Sequence, residues 1–129
     1  MKINDAELPD DLKYTKDNSW VKVDGDIAII GITDLGAKQV KEFVFIKLPE
    51  KGHIIKGSTY VSLESVKWSG HLSSPVSGEI IDVNEVLFDD PSRINKNPYG
   101  SWIMKVKMSN KDELNDLLTS QQLVDIQKR

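Results

Sequence analysis

SLESVKWSGHLSSPVSG, residues 62–78, places one long cationic side chain, Lys67, between an apolar alternating segment and a run of serine, glycine and proline. Immediately upstream, STYVSLES (58–65) alternates Thr59, Val61 and Leu63 with Tyr60, Ser62 and Glu64, the period of a half-buried strand. Downstream, GEIIDVNEVL (78–87) reads as another strand. GHIIKGSTYVSLES before the lysine and SPVSGEIIDVNEV after it are similar in length and apolar content. Such a pair is expected to form two quasi-symmetric halves meeting at a hairpin, with Lys67 at the meeting point.

Outward from this stretch the pattern stays β-rich. SWVKVDGDIAIIGIT (19–33) reads as two strands around the tight-turn pair Asp24-Gly25. Asp34 is placed to cap a short helix over LGAKQV. EFVFIKLP (42–49) is a strand ended by Pro49, and EKGHIIKG is turn-like at both glycines. DDPSRIN (89–95) suggests a turn of helix with Pro91 at its first position, and SWIMKVKM (101–108) a strand. A helix is expected over about 110–126, with Asn110 as cap, Glu113 three residues on, and Leu114, Leu117 and Leu118 along one face. Six or seven short strands with turns about every ten residues favour a sandwich or barrel over a βαβ sheet. The expectation is a mainly β sandwich or flattened barrel with short helices and a C-terminal α-helix.

The totals bound the function. At 129 residues the chain fits one domain, 1–129. A net charge of -3 gives no basic footprint for nucleic acid. No apolar run approaches a membrane span, and the acidic, polar start MKINDAELPDDLKY resembles neither a secretory signal nor a transit peptide. The chain has no cysteine, hence no disulfide framework, thiolate metal site or thiol nucleophile. A cytoplasmic location and a monomer are expected.

Self-sufficient catalysis finds no support. His53 and His71 lack a helical ligand spacing, so no metal site is expected. His71 stands close to Ser69, Ser73 and Ser74, but no nucleophile elbow accompanies it. The pairs Asp10-Asp11 and Asp89-Asp90 fall in polar stretches and read as solvated charges. The glycines match neither a P-loop nor a dinucleotide fingerprint. No catalytic residue is assigned.

Lys67 is therefore the residue to explain. An arbitrary lysine is an ordinary solubilising residue. One meant for covalent modification needs an exposed, rigid turn, which a strand on one side and Gly70, Ser74-Pro75 and Gly78 on the other would supply. Acylation would remove its charge and leave a tether.

LESVK (63–67) followed by SSPVSGEIIDVNEVL (73–87) resembles the lipoyl-carrier segment of the glycine cleavage H-protein family. SWVKVDGDIAIIGITDLG (19–36) is similar to that family's N-terminal hairpin and GITD turn, FVFIKLPEKGHIIKG (43–57) to its next strand, and NPYGSW (97–102) to its near-terminal motif. The resemblance covers roughly residues 12 to 126, with several spaced motifs agreeing in order and distance. It implies a biotinyl/lipoyl-carrier-like fold of hybrid-motif hairpins, with lipoate in amide linkage on Lys67. It further implies a non-catalytic carrier subunit shuttling an aminomethyl group from glycine decarboxylase (P protein) to an aminomethyltransferase (T protein), reoxidised by dihydrolipoyl dehydrogenase (L protein). A lipoate ligase or lipoyl/octanoyl transferase would attach the cofactor. Glu64, Ser65, Val66 and Trp68 are implied as recognition residues near the arm.

The chain departs from the family's pattern around the lysine. Trp68, Ser69 and Gly70 follow it where small residues are common, and His71 stands where an acid is common. Ser73 replaces a tyrosine or similar residue, Asn18-Ser19-Trp20 replaces His-Glu-Trp, and Gly100-Ser101-Trp102 lacks a usual glycine. Trp68 reads equally as a hydrophobic docking anchor and as a ring folded back on its own hairpin. Two alternatives stay open: an H-like carrier in a lipoyl relay or in sulfur-compound oxidation, and an unmodified scaffold of the same fold. Val66 and Trp68, where biotin acceptors carry methionines, speak against a biotin carrier.

Overall fold

The computed structural model describes residues 1–128. Three antiparallel sheets form it. A two-stranded hairpin comes first, β1 (Lys2–Ile3) with β2 (Ala6–Glu7). Six strands, β3 (Lys13–Tyr14), β4 (Ser19–Asp24), β5 (Ile27–Ile32), β11 (Met104–Met108), β10 (Gly78–Val83) and β7 (Gly52–Ile54), make the large sheet in that spatial order. The small sheet is β6 (Phe45–Lys47), β8 (Thr59–Glu64) and β9 (Ser69–Ser73). Short helices α1 (Asp34–Val40), α2 (Val86–Asp89) and α3 (Arg93–Lys96) connect them, and α4 (Ser120–Gln127) closes the chain.

Alternation along the strands sends one set of side chains into a common core. Val21, Ala28, Ile30, Ile80 and Val106 of the large sheet belong to the same buried cluster as Ile46, Val61 and Leu63 of the small one. Fully burying side chains of this size contributes roughly 1.5–3 kcal/mol each. On β8 the alternation is broken at Tyr60, which is buried beside Val61 although a simple period assigns it outward. Its hydroxyl finds a partner in Ser19 of β4, and that pairing makes the burial tolerable.

The expected two halves around Lys67 form one long ribbon. β8 pairs with β9 in the small sheet and β7 with β10 in the large sheet. Thr59 faces Ser73 and Ile54 faces Gly78, each pair symmetric about Val66. The two strands cross between sheets side by side, joined where Gly57 N–H donates to the Ser74 carbonyl at 2.9 Å and Ser74 N–H to the Ser58 carbonyl at 2.7 Å. Gly57 turns this corner at φ 92°. Gly78 restarts the ribbon at φ 155°, where a Cβ would be driven into the Lys107 carbonyl of β11.

Four local expectations are corrected. The cap of α1 is Thr33, one residue before Asp34: its side chain accepts from Gly36 N–H. Pro91 lies between α2 and α3, not at a first helical position. The polar-looking start hides Ile3, Ala6, Leu8 and Leu12, which pack with Trp20, Leu35 and Leu123 in a second buried cluster.

The fourth correction concerns the helix expected over about 110–126, which is two elements. Asn110 caps a 3-10 turn, Lys111–Asp116, through Asp112 N–H. Glu113 does not complete a capping box, because its carboxylate accepts from Ser77 N–H at 2.7 Å and Ser77 Oγ at 2.9 Å. Leu118 then pairs with Tyr14 through two backbone hydrogen bonds of 2.8 Å, which no helix could make. A new helix starts at Thr119, in a capping box with Gln122.

Candidate functional site

Lys67 sits at the apex of the ribbon. Ser65 N–H donates to the Trp68 carbonyl at 2.7 Å, closing a turn whose two central residues are Val66 and Lys67. Neither is among the residues with positive φ, so the turn asks nothing unusual of a branched or long side chain. Val66 is 86% exposed and Lys67 is exposed. Lys67 has no ion-pair partner among the described residues, whereas Lys2, Lys38, Lys56 and Lys111 each have one.

The surrounding residues are set by the small sheet. Glu64 ends β8, exposed, opposite Ser69 on one side and Phe45 on the other, and its backbone carbonyl accepts from Val44 N–H at 2.8 Å. Ser65, Val66 and Lys67 line one side of an open groove of about 250 Å³, with Val40, Lys41 and Glu42 from the end of α1 on the other. Lys41 turns the chain there at φ 78°.

Trp68 folds back. Its ring lies across Gly70 and meets Phe43 edge-on, with centroids 6.3 Å apart and planes at 62°. It also roofs a recess of about 130 Å³ whose apolar wall includes Ile32, Val40, Leu63 and Leu72. Phe43 is itself fixed. Its N–H donates to Asn95 Oδ1 at 3.0 Å, while Asn95 Nδ2 donates to the carbonyls of Ala37 and Lys41. Asp17 accepts from Ser73 N–H at 3.0 Å and ties the far end of β9 to the loop before β4.

Sequence reasoning brought Glu64, Ser65, Val66, Lys67 and Trp68 to one hairpin end, and there they stand together. It missed Phe43, Gly70, Asn95 and Asp17 as the supports of that end. Asn95 and Phe43 are distant in sequence, and nothing local to either marks the pairing.

The serine–histidine idea finds no geometry. His71 faces Ser62 across the ladder, and the buried Ser74 hydroxyl donates to the Val76 carbonyl at 2.7 Å. His53 lies opposite Glu79 on β7, in the other sheet. Among the described residues no cluster of three or more candidate ligands is placed to hold a metal ion, and no helix is long and apolar enough to cross a membrane.

The chemistry on offer is that of one accessible primary amine on a closed turn. An acyl group in amide linkage fits this apex. Among the described residues the amine has no ion-pair partner, and Val66 beside it at the tip is itself exposed.

Comparison with known proteins gives one consistent result. The model of the family described as glycine cleavage H-protein matches residues 12–129. A glycine cleavage system H protein of Carboxydothermus hydrogenoformans is 46% identical over 114 residues, covering 87% of this chain and 88% of the relative. A probable glycine cleavage system H protein of Aeropyrum pernix is 42% identical over 125 residues, covering 95% and 87%. The crystal structure of a glycine cleavage system H protein from Mycobacterium marinum superimposes with a TM-score of 0.85 at 31% identity, covering 95% of this chain and 100% of that one.

Proposed function

The chain belongs to the glycine cleavage H-protein family, and on that premise we propose that it is a lipoylated carrier with Lys67 as the attachment residue. The observation that carries the reading is the apex itself: an exposed lysine within ESVK, without an ion-pair partner among the described residues, at the centre of a two-stranded ribbon. Lipoate held there by Lys67 would supply redox-active dithiolane chemistry for carrying a one-carbon amine unit.

This chain's own residues have a simpler task. Lys67 holds the group by an amide bond through Nζ. The ribbon keeps that bond at the end of a rigid stalk, so an arm attached there reaches several enzymes at high local concentration. Glu64, Ser65 and Val66 are the groups an attaching enzyme meets beside the amine, and Glu64 supplies the exposed carboxylate of that face.

The partners of this reading are glycine decarboxylase, the aminomethyltransferase and dihydrolipoyl dehydrogenase, with a lipoate ligase or lipoyl/octanoyl transferase for attachment. The protein is a carrier subunit in this scheme, working as a monomer in the cytoplasm. Incubation of purified apo-protein with a lipoate ligase, lipoate and ATP tests the site. Wild-type protein is expected to gain one lipoyl group, and Lys67→Arg protein none, with the same unfolding midpoint because the substitution removes no core contact. A Lys67→Arg variant that still gains the group would assign attachment to another lysine.

A further inference from the structure

The turn that presents Lys67 is tied to the body on both sides: before it the Glu64 carbonyl accepts from Val44 N–H at 2.8 Å, and after it the Trp68 side chain packs back. Val66 and Lys67 stand out in solvent, and the Ser65–Trp68 hydrogen bond closes the loop without fixing it to the body. Trp68 makes that connection on the far side. Its indole reaches back over Gly70 to Phe43, and Phe43 is buried with its N–H held by Asn95. The residue as a whole remains 41% exposed.

Gly70 is fitted to the ring. A Cβ there would stand 2.5 Å from Trp68 Cζ2 and 2.7 Å from Cη2, so the indole would have to shift from its present seat. Gly70 is not among the glycines with positive φ, so its backbone does not demand glycine. The missing side chain serves the ring alone. A tryptophan after the lysine and a glycine two residues further on thus form one device.

We propose that Trp68 is a positioning residue for Lys67: the indole, clasped between Gly70 and Phe43, holds the turn in one conformation and so fixes the direction in which the lysine amine meets its modifying enzyme. The inference rests on the carrier reading. Without the clasp the apex samples several conformations, and the enzyme's apparent affinity falls by the fraction that is competent. Chemistry within the bound complex is unchanged, so KM for the protein rises while kcat does not.

The test compares wild-type apo-protein with Trp68→Ala, Trp68→Phe and Gly70→Ala as substrates of a lipoate ligase, alongside amide exchange at residues 64–69. Trp68→Ala and Gly70→Ala are expected to raise KM about fivefold or more at unchanged kcat, and to speed exchange at the apex and nowhere else. Trp68→Phe, which keeps an aromatic face for Phe43, is expected to recover most of the loss. Gly70→Ala decides, because it displaces the indole from its seat without deleting it. Unchanged KM, or unchanged apex exchange, in Gly70→Ala and Trp68→Ala would overturn the inference and leave the carrier reading standing. Wild-type protein that accepts no lipoyl group at Lys67 would overturn both.

Discussion

Ser19 of β4 and Tyr60 of β8 share a hydrogen bond of 2.7 Å between their hydroxyls, buried, and so join the six-stranded sheet to the strand that carries the lysine. Each hydroxyl is the other's compensation for burial. Tyr60→Phe is expected to leave Ser19 short of a partner and to cost about 1–3 kcal/mol. The Ser19→Ala/Tyr60→Phe double variant is expected to cost less than the two single losses added. Urea unfolding of the four proteins checks this, and strictly additive losses would show that the bond contributes nothing.

The three tyrosines give the protein a limit at high pH. Burial is the main cause that raises all three phenols, Tyr14 and Tyr60 far above their ordinary 10.0 and Tyr99 up to about 12. An ionised phenol is then possible in the unfolded chain before it is in the native one. Stability from these groups is full below pH 10 and falls as pH rises through the native values, because the native state there binds more protons. The urea midpoint is expected to be flat from neutral pH to about 9 and to drop above about 10. Absorbance of phenolate at high pH is expected to rise together with unfolding; phenolate signal at the ordinary value in folded protein would contradict the burial.

Gly78→Ala is expected to be among the most damaging single substitutions. The position combines φ 155° with a Cβ path blocked by the Lys107 carbonyl, a backbone atom that cannot swing aside. Left-handed strain alone costs of order 1–3 kcal/mol, and separation of β10 from β11 adds to it. A loss of at least about 3 kcal/mol in urea unfolding is expected. A loss under about 1 kcal/mol would mean that the two strands can part freely.

Asn95→Ala removes three hydrogen bonds at once, to Phe43 N–H and to the carbonyls of Ala37 and Lys41. The expected cost is about 2 kcal/mol, dominated by the Phe43 N–H left without its acceptor. Amide exchange is expected to quicken at Phe43 and in the segment between α1 and β6. Protection at Phe43 equal to wild type would remove Asn95 from the support of the hairpin.

The β8–β9 hairpin was legible because its information is local. The alternation of 58–65 and the similar arms on either side of Lys67 state both the strands and their meeting point. The pairs nearest the tip centre between Val66 and Lys67, and a register shift between Thr59 and Val61 moves the outer pairs by half a step. The sandwich class followed from turn spacing in the same way. What escaped depends on distant partners. Leu114, Leu117 and Leu118 do carry a helical spacing, but Ser77 draws Glu113 away and Tyr14 draws Leu118 into a bridge. That Trp68 folds back on its own hairpin depends on Phe43, whose place is set by Asn95 on a helix that follows a different sheet. The N-terminal hairpin was masked by its acidic residues, since four spaced apolar side chains in a polar stretch signal burial only once Trp20 and Leu123 are in place.

The central claim is the modification of Lys67, and the most direct measurement is the mass of the protein isolated from its own cells, with peptide mapping across residues 57–78. The account predicts a lipoyl or octanoyl adduct on Lys67 and on no other lysine. Unmodified Lys67, in cells whose other carrier proteins are lipoylated, would contradict it and make the hairpin a bare scaffold.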